Sequence, residues 1–288
     1  MRARTTRWTA SAAVLITATA SVVLGLGSSV SAAAVTSLQA YGIFGAGTRM
    51  LAFKTDTPGR NDWVQRITGL VGDTSVIGID IRVQDGKLYA VGNLGGIYTI
   101  GIPSAIATKV SQLQVTLYGT KFGVDFNPAA DRLRVISDNG QNLRHNLADH
   151  STIEDTTLTT PPATGPAKAV TAAAYTNNDL NGTTGTTLFV INTATDQAAI
   201  QSPANFGFLA ATGNLGGDAA LDAGLDAGFD IYSDLSNGRT VSSTGFAVLT
   251  PAGNDPTFYT VDLLTGAATS VGVFPLDVSD VAVALDTY

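Results

Sequence analysis

The sequence predicts an all-β fold, a five-bladed β-propeller closed by pairing the C-terminal strand with the N-terminal strands. Three observations lead there. A strand-turn-strand unit recurs through the chain, its two ends are complementary fragments of that unit, and the composition starves helices while supplying strands and turns. Of the 23 acidic residues only Glu154 is a glutamate, and lysine is scarce, whereas Thr, Val, Gly and Asn abound. Such a chain lacks good helix formers and is rich in residues that suit pleated strands and tight turns.

The repeat is plainest in GIDIRVQDGKLYAVGNLGGIYTIGI (78–102) and GVDFNPAADRLRVISDNGQNLRHNL (123–147). Each has a Gly-Xaa-Asp-apolar strand, a polar turn, an alternating strand, a Gly-containing turn and a further strand. Alternation with a period of two between Gly, Asn and Asp turns is the mark of antiparallel hairpins. Further on, AAAY (172–175) leads to TLFVI (187–191), and GFDI (228–231) leads to GFAVL (245–249) and TFYTV (257–261). A last opening strand, DVAV (280–283), has almost nothing after it.

Opening strands thus begin at 78, 123, 172, 228 and 280, separated by 45, 49, 56 and 52 residues. This is the length of a four-stranded propeller blade. The chain's first strands, in YGIFG, RMLAFKTD and WVQRITGL, have no opening strand before them. Pairing them with DVAV completes a fifth blade and removes two open sheet edges.

Residues 1–34 read as a secretory signal peptide. Arg2, Arg4 and Arg7 precede an apolar stretch from about Ala12 to Leu26, and small residues follow at Ser31, Ala32, Ala33 and Ala34. The apolar stretch is short of the ~20 residues that a membrane span needs. Cleavage there removes three basic residues and no acid, taking the net charge from −7 to −10. The mature part, 35–288, is then a single propeller domain, expected to be secreted and monomeric, with no membrane span. Its acidity, without any Lys/Arg cluster, argues against nucleic acid as a partner. There is no cysteine and there are only two histidines, which leaves too few soft ligands for zinc, copper or haem. No cofactor is implied, although oxygen ligands leave calcium open.

The segments GIDIRVQDGKLYAVGN, FGVDFNPAADRLRVISDNGQNLR, VTAAAYTN and AGFDI resemble the bacterial exported family catalogued as domain of unknown function 4394. The resemblance covers nearly the whole mature chain. It departs at the loop after Asp155 and in the stretched GGDAALDAGLDAGFDI. It implies the fold and export, and supplies no activity.

Candidate chemistry begins with Asp80, Asp125 and Asp230, which share one place in the Gly-Xaa-Asp strands. Opening strands line a propeller's central channel, so these carboxylates are placed to converge there, to hold a cation or to act as acid and base. A residue repeated from blade to blade also has a simpler role, accepting backbone hydrogen bonds within each blade, and that role is favoured. The earlier acids of the stretched segment, Asp218, Asp222 and Asp226, are expected in a solvated loop. Their spacing of four misses the alternating ligands of calcium loops.

Asp138, Gln141, Asn142 and Arg144 form a candidate polar surface around the Asn139-Gly140 turn, suited to a saccharide. His145 and His150 are expected at the surface, since no nucleophile motif accompanies them. The long stretches 176–187 and 232–244 are expected as adjacent loops on one rim, placed to grip a ligand. The leading function is therefore a secreted binding or scaffold module for an extracellular protein or glycan. The alternative is a calcium-assisted hydrolase or lyase, acting on carbohydrate or lactone through the channel aspartates.

Overall fold

The computed structural model describes residues 36–217 and 221–286. The expected signal peptide and Asp218 lie outside the described residues.

Among the described residues, twenty strands form five antiparallel four-stranded sheets. The N-terminal strands are β1 (Gln39–Phe44), β2 (Arg49–Lys54) and β3 (Thr57–Arg66). The second sheet runs β4 (Val76–Arg82), β5 (Lys87–Gly92), β6 (Gly96–Ile100) and β7 (Ala107–Gln112). The third is β8 (Phe122–Asn127), β9 (Arg132–Ser137), β10 (Asn142–His145) and β11 (Thr152–Glu154). The fourth is β12 (Val170–Tyr175), β13 (Leu188–Asn192), β14 (Gln197–Gln201) and β15 (Leu209–Asn214), and the fifth is β16 (Ala227–Ser236), β17 (Arg239–Leu249), β18 (Thr257–Val261) and β19 (Ala268–Val273). Finally β20 (Asp280–Val283) pairs with β1, in the register Ala40 with Val283 and Ile43 with Asp280, to give the order β20-β1-β2-β3. The propeller and its closure between the two termini are as the sequence predicts.

The opening strands β4, β8, β12, β16 and β20 are the inner strands, each packed on the next around a closed ring. They are buried on both faces, and those faces fill with apolar clusters between blades, such as Phe53, Phe246, Phe258 and Phe274. Glycine has a steric role in the repeat. A side chain at Gly123 would come within 2.6 Å of the Ala173 backbone on β12, and one at Gly228 within 2.5 Å of the Asp280 Cα on β20. Neighbouring inner strands approach so closely because the first residue of the motif has no Cβ.

Fourth strands carry the weakest pattern. In β7 and β11 polar and apolar residues alike are exposed, Val110 and Ile153 among them, and alternation fades. One expected feature differs outright. Residues 232–244 are no loop, because β16 and β17 run on for 10 and 11 residues and meet at the turn Asn237-Gly238, where both residues have positive φ. Asn-Gly is the dipeptide that such a two-residue hairpin turn demands.

Candidate functional site

Three inner strands bring Asp80, Asp125 and Asp230 together at the centre. One oxygen from each lies within 4.8 Å of the others, and all three residues are buried. They also join the blades. Asp80 Oδ2 accepts the Phe126 N–H at 2.7 Å from the next blade, Asp125 Oδ1 accepts the Tyr175 N–H at 3.0 Å, and Asp230 Oδ2 accepts the Val283 N–H at 2.6 Å. Asp280 joins the ring from a different register: it stands where three other blades have glycine and the fourth has Ala172, and its Oδ2 accepts the Ile79 N–H at 2.9 Å. The backbone hydrogen-bonding role is thus present, and it runs between blades as well as within them.

Crowding of buried carboxyls favours their neutral forms. Burial, reinforced by the charge of Asp230, pushes Asp80 up to about 8, and burial pushes Asp230 up to about 6. Asp125 and Asp280 are likewise raised, first by burial and then by their acidic neighbours. Calcium holds oxygen ligands at about 2.3–2.6 Å, so oxygens up to about 5 Å apart can share one ion. The cluster has the donor set for a hard cation.

One seam lacks this device. The inner strand β12 carries Ala174 at the aspartate position, and the link to β16 comes from the stretch 176–187 instead. Asn178 Nδ2 donates to the Ile231 carbonyl and its N–H to Ser233 Oγ, both at 2.9 Å. Asp179 Oδ2 accepts the Thr240 N–H at 2.9 Å and the Thr240 hydroxyl at 2.8 Å. The loop and the long hairpin are adjacent as expected, and these contacts are spent on each other.

The large cavity lies at the other end of the inner strands. A bowl of about 990 Å³ opens where β4, β8, β16 and β20 begin. It is lined among others by Asn93, Lys121, Leu225, Asp226, Asn254 and Asp277. Lys121 Nζ meets Asp226 Oδ2 at 2.5 Å, joining segments 105 residues apart. Burial raises Asp226 despite this ammonium. Asp226 therefore lies in a loop as expected, but it is half-buried and ion-paired, which corrects its full solvation. Asp222 caps its own turn through the Gly224 N–H, as a loop residue does. Sequence reasoning missed the bowl because turns and inter-blade loops of four blades build it, and no single segment carries its signature.

The candidate polar surface does not form as one patch. Gln141 and Asn142 are buried. Gln141 accepts the Tyr118 N–H and donates to the Thr116 carbonyl, while Asn142 donates to the carbonyls of Thr156 and Ala204. Asp138 holds the Thr120 N–H and hydroxyl, and the half-buried Arg144 clasps Asp155 through two nitrogens at 3.0 Å. The turn at Gly140 commits Asp138, Gln141 and Asn142 to folding its surroundings, while Arg144 reaches to Asp155.

Of the two histidines expected at the surface, His150 is exposed and His145 is not. His145 is fully buried, and Ser111 Oγ lies 2.8 Å from both His145 Nε2 and His150 Nδ1. Burial, aided by the charge of His150, lowers His145 to about 4. Ser111 is on β7 and His145 on β10, so the trio joins the outer parts of two blades. A spacing of 34 residues gave no motif to find it by.

The chain matches the family model described as Domain of unknown function (DUF4394) over residues 49–283, and it belongs to that family. No curated protein matches it. Among solved structures it is similar to glutaminyl cyclase from Myxococcus xanthus, with 11% identity, a TM-score of 0.42, and 74% of this chain and 90% of that one covered. It is also similar to a structural-genomics protein of unknown function from Bacteroides thetaiotaomicron, with 14% identity, a TM-score of 0.47, and 88% and 68% covered. An auxiliary nutrient binding protein from the same organism shows 12% identity, a TM-score of 0.40, and 78% and 56% covered.

Proposed function

We propose that the chain is an exported binding module that takes its ligand in the bowl at the start of the inner strands. One observation carries this reading: the bowl gathers side chains from four blades around an ion pair, Lys121 with Asp226, at the open end of the ring. Its volume is at the upper end of ordinary ligand pockets, and its wall mixes apolar groups (Leu225, Pro251, Pro256) with amide, carboxylate and ammonium groups. Lys121 is answered by Asp226, and Asp277 adds a further carboxylate. The wall therefore suits a neutral, hydroxyl-rich ligand or a cationic one, and repels polyanions.

The test is a thermal melt of the protein with soluble neutral oligosaccharides, cello- and xylo-oligosaccharides among them, repeated with Lys121→Ala and Asp226→Ala. A ligand that binds only the folded state raises the midpoint by mass action. A rise that both variants lose supports the reading. No rise with any neutral glycan, or one that both variants keep, removes the bowl as a glycan site.

A second reading concerns the channel. The convergence of Asp80, Asp125 and Asp230 favours a bound calcium ion. As a hydrolase or lyase the centre has a difficulty, since the three residues are only 3–5% exposed and offer no attacking group to a substrate. The cation is the part of that reading which keeps its support. A midpoint raised by calcium and lowered by chelator, and indifferent in Asp125→Ala, is its expected sign; a midpoint indifferent to both rejects it.

A further inference from the structure

A second cleft, of about 240 Å³, lies between the third and fourth blades at the far end from the bowl. Its wall includes Asn127, Arg132, Arg134, Arg144, Tyr175 and Asn205. Arg134 and Arg144 face each other directly across the β9–β10 pair, an arrangement of like charges that disfavours the sheet unless an anion answers it. A single carboxylate does so: Asp155 Oδ2 accepts from Arg134 NH1 at 2.7 Å and from Arg144 Nε at 3.0 Å, and its Oδ1 accepts from Arg144 NH2 at 3.0 Å.

Arg132 adds a third guanidinium. Its hydrogen bonds go to the carbonyls of Ala130 and Asp131, and among the described residues no carboxylate lies within ion-pair distance of it. The exposed Asp149 feels its charge from the neighbouring loop. Three guanidiniums line this cleft, and one carboxylate, Asp155, binds two of them from behind, in a chain whose net charge is −7.

The remaining polar groups also present donors. The Tyr175 hydroxyl takes the Arg134 Nε–H at 3.4 Å, and among the described residues its own proton has no acceptor. The Asn205 carbonyl oxygen is held by Arg134 NH2 at 2.8 Å, and the Asn127 carbonyl oxygen by the Ala130 N–H at 2.9 Å. Both amides therefore keep their NH₂ ends for another partner. A hollow of this size, walled by guanidinium, amide N–H and phenol O–H groups, matches a planar or tetrahedral oxyanion.

We infer that this cleft is a binding site for a small oxyanion, a carboxylate or phosphate group, gripped by Arg132 and Arg144 over a floor of Arg134 and Tyr175. The site is separate from the bowl in place and opposite in charge preference. Asp155 and Asn205 hold Arg134 rigid, and Arg132 and Arg144 bring the charges that an incoming anion neutralises.

The full chain is titrated calorimetrically at low ionic strength with inorganic phosphate, with galacturonate and with neutral galactose, sodium chloride matching the ionic strength. Saturable binding of phosphate or galacturonate, with none of galactose, is expected. Galacturonate binding more tightly than phosphate marks a sugar acid, and the reverse order marks a free oxyanion. Arg132→Gln, which disturbs only bonds to its own turn, should weaken binding about tenfold. Arg144→Gln, with Asp155 still held by Arg134, should do the same. Absence of binding by both anions, or unchanged affinity in both variants, overturns the site.

Discussion

The carboxylate of Asp280 accepts the backbone N–H of Ile79 at 2.9 Å, across 201 residues of chain. The last inner strand is thereby tied to the first inner strand of the neighbouring blade while it also pairs with β1. Closure thus rests on a sheet ladder and a side-chain staple together. Deleting residues 280–288 removes both, and the expected result is an unfolded or oligomeric protein by light scattering and circular dichroism. A monomer with an unchanged melt would refute closure. The staple alone is isolated by comparing Asp280→Asn with Asp280→Ala. Both remove the ionisable carboxyl, but only Ala leaves the buried Ile79 N–H without an acceptor, so it should be less stable by about 1–3 kcal/mol.

Stability should fall as pH rises. Asp80 and Asp230 titrate in the fold near about 8 and about 6, well above the ordinary aspartate value. The folded state therefore holds protons that the unfolded chain has already lost. Their contribution is fully present below pH 4, and it is lost as pH rises through 6 and then 8. The melting midpoint should drop by several degrees between pH 5 and pH 9, at about 2–4 °C per kcal/mol for a domain of this size. Asp80→Asn should flatten the profile even where it lowers the midpoint. A midpoint that rises over that range would mean a cation, and no proton, neutralises the cluster.

The parts of this architecture that repeat were legible in the sequence. Gly78-Xaa-Asp80, Gly123-Xaa-Asp125 and Gly228-Xaa-Asp230 mark inner strands because these three blades meet the crowded centre in the same way, with a small residue and an acceptor. The fourth blade was found by spacing and alternation alone, since Ala172 and Ala174 replace both marks. What did not repeat was hidden. Lys121 and Asp226 meet across 105 residues, and Ser111 finds two histidines on another blade. The buried Arg134 sits in an alternating strand like any other, and its partners Asp155 and Asn205 come from segments with no pattern of their own.

Arg134 itself gives a third expectation. It is 2% exposed, and among the described residues its buried partner Asp155 is the one carboxylate that answers it. Breaking a buried pair by removing one member leaves an uncompensated charge, at about 3–5 kcal/mol. Asp155→Ala should therefore lower the denaturant midpoint severely. Arg144→Ala should cost less, because that side chain is nearly one-third exposed and leaves Asp155 still paired with Arg134. Equal losses would mean that the pair with Arg134 has no special weight.

The seam without a channel aspartate gives the last expectation. Between β12 and β16 the chain relies on Asp179, whose Oδ2 takes both the N–H and the hydroxyl of Thr240. Burial alone would raise this carboxyl, but the hydrogen bonds from Thr240, with those from Asn181 and Thr184, together outweigh burial and hold it below the ordinary value. Its stabilising effect is therefore present above the unfolded aspartate pKa and lost as pH falls through the lower folded one, opposite in sign to the channel cluster. Asp179→Ala should cost about 1–3 kcal/mol at neutral pH, and less in acid. It should also speed hydrogen exchange at the Thr240 amide, because the hairpin of β16 and β17 then loses its hold on the neighbouring blade. Unchanged exchange and stability would return the stretch 176–187 to the status of a free rim loop, available to a ligand after all.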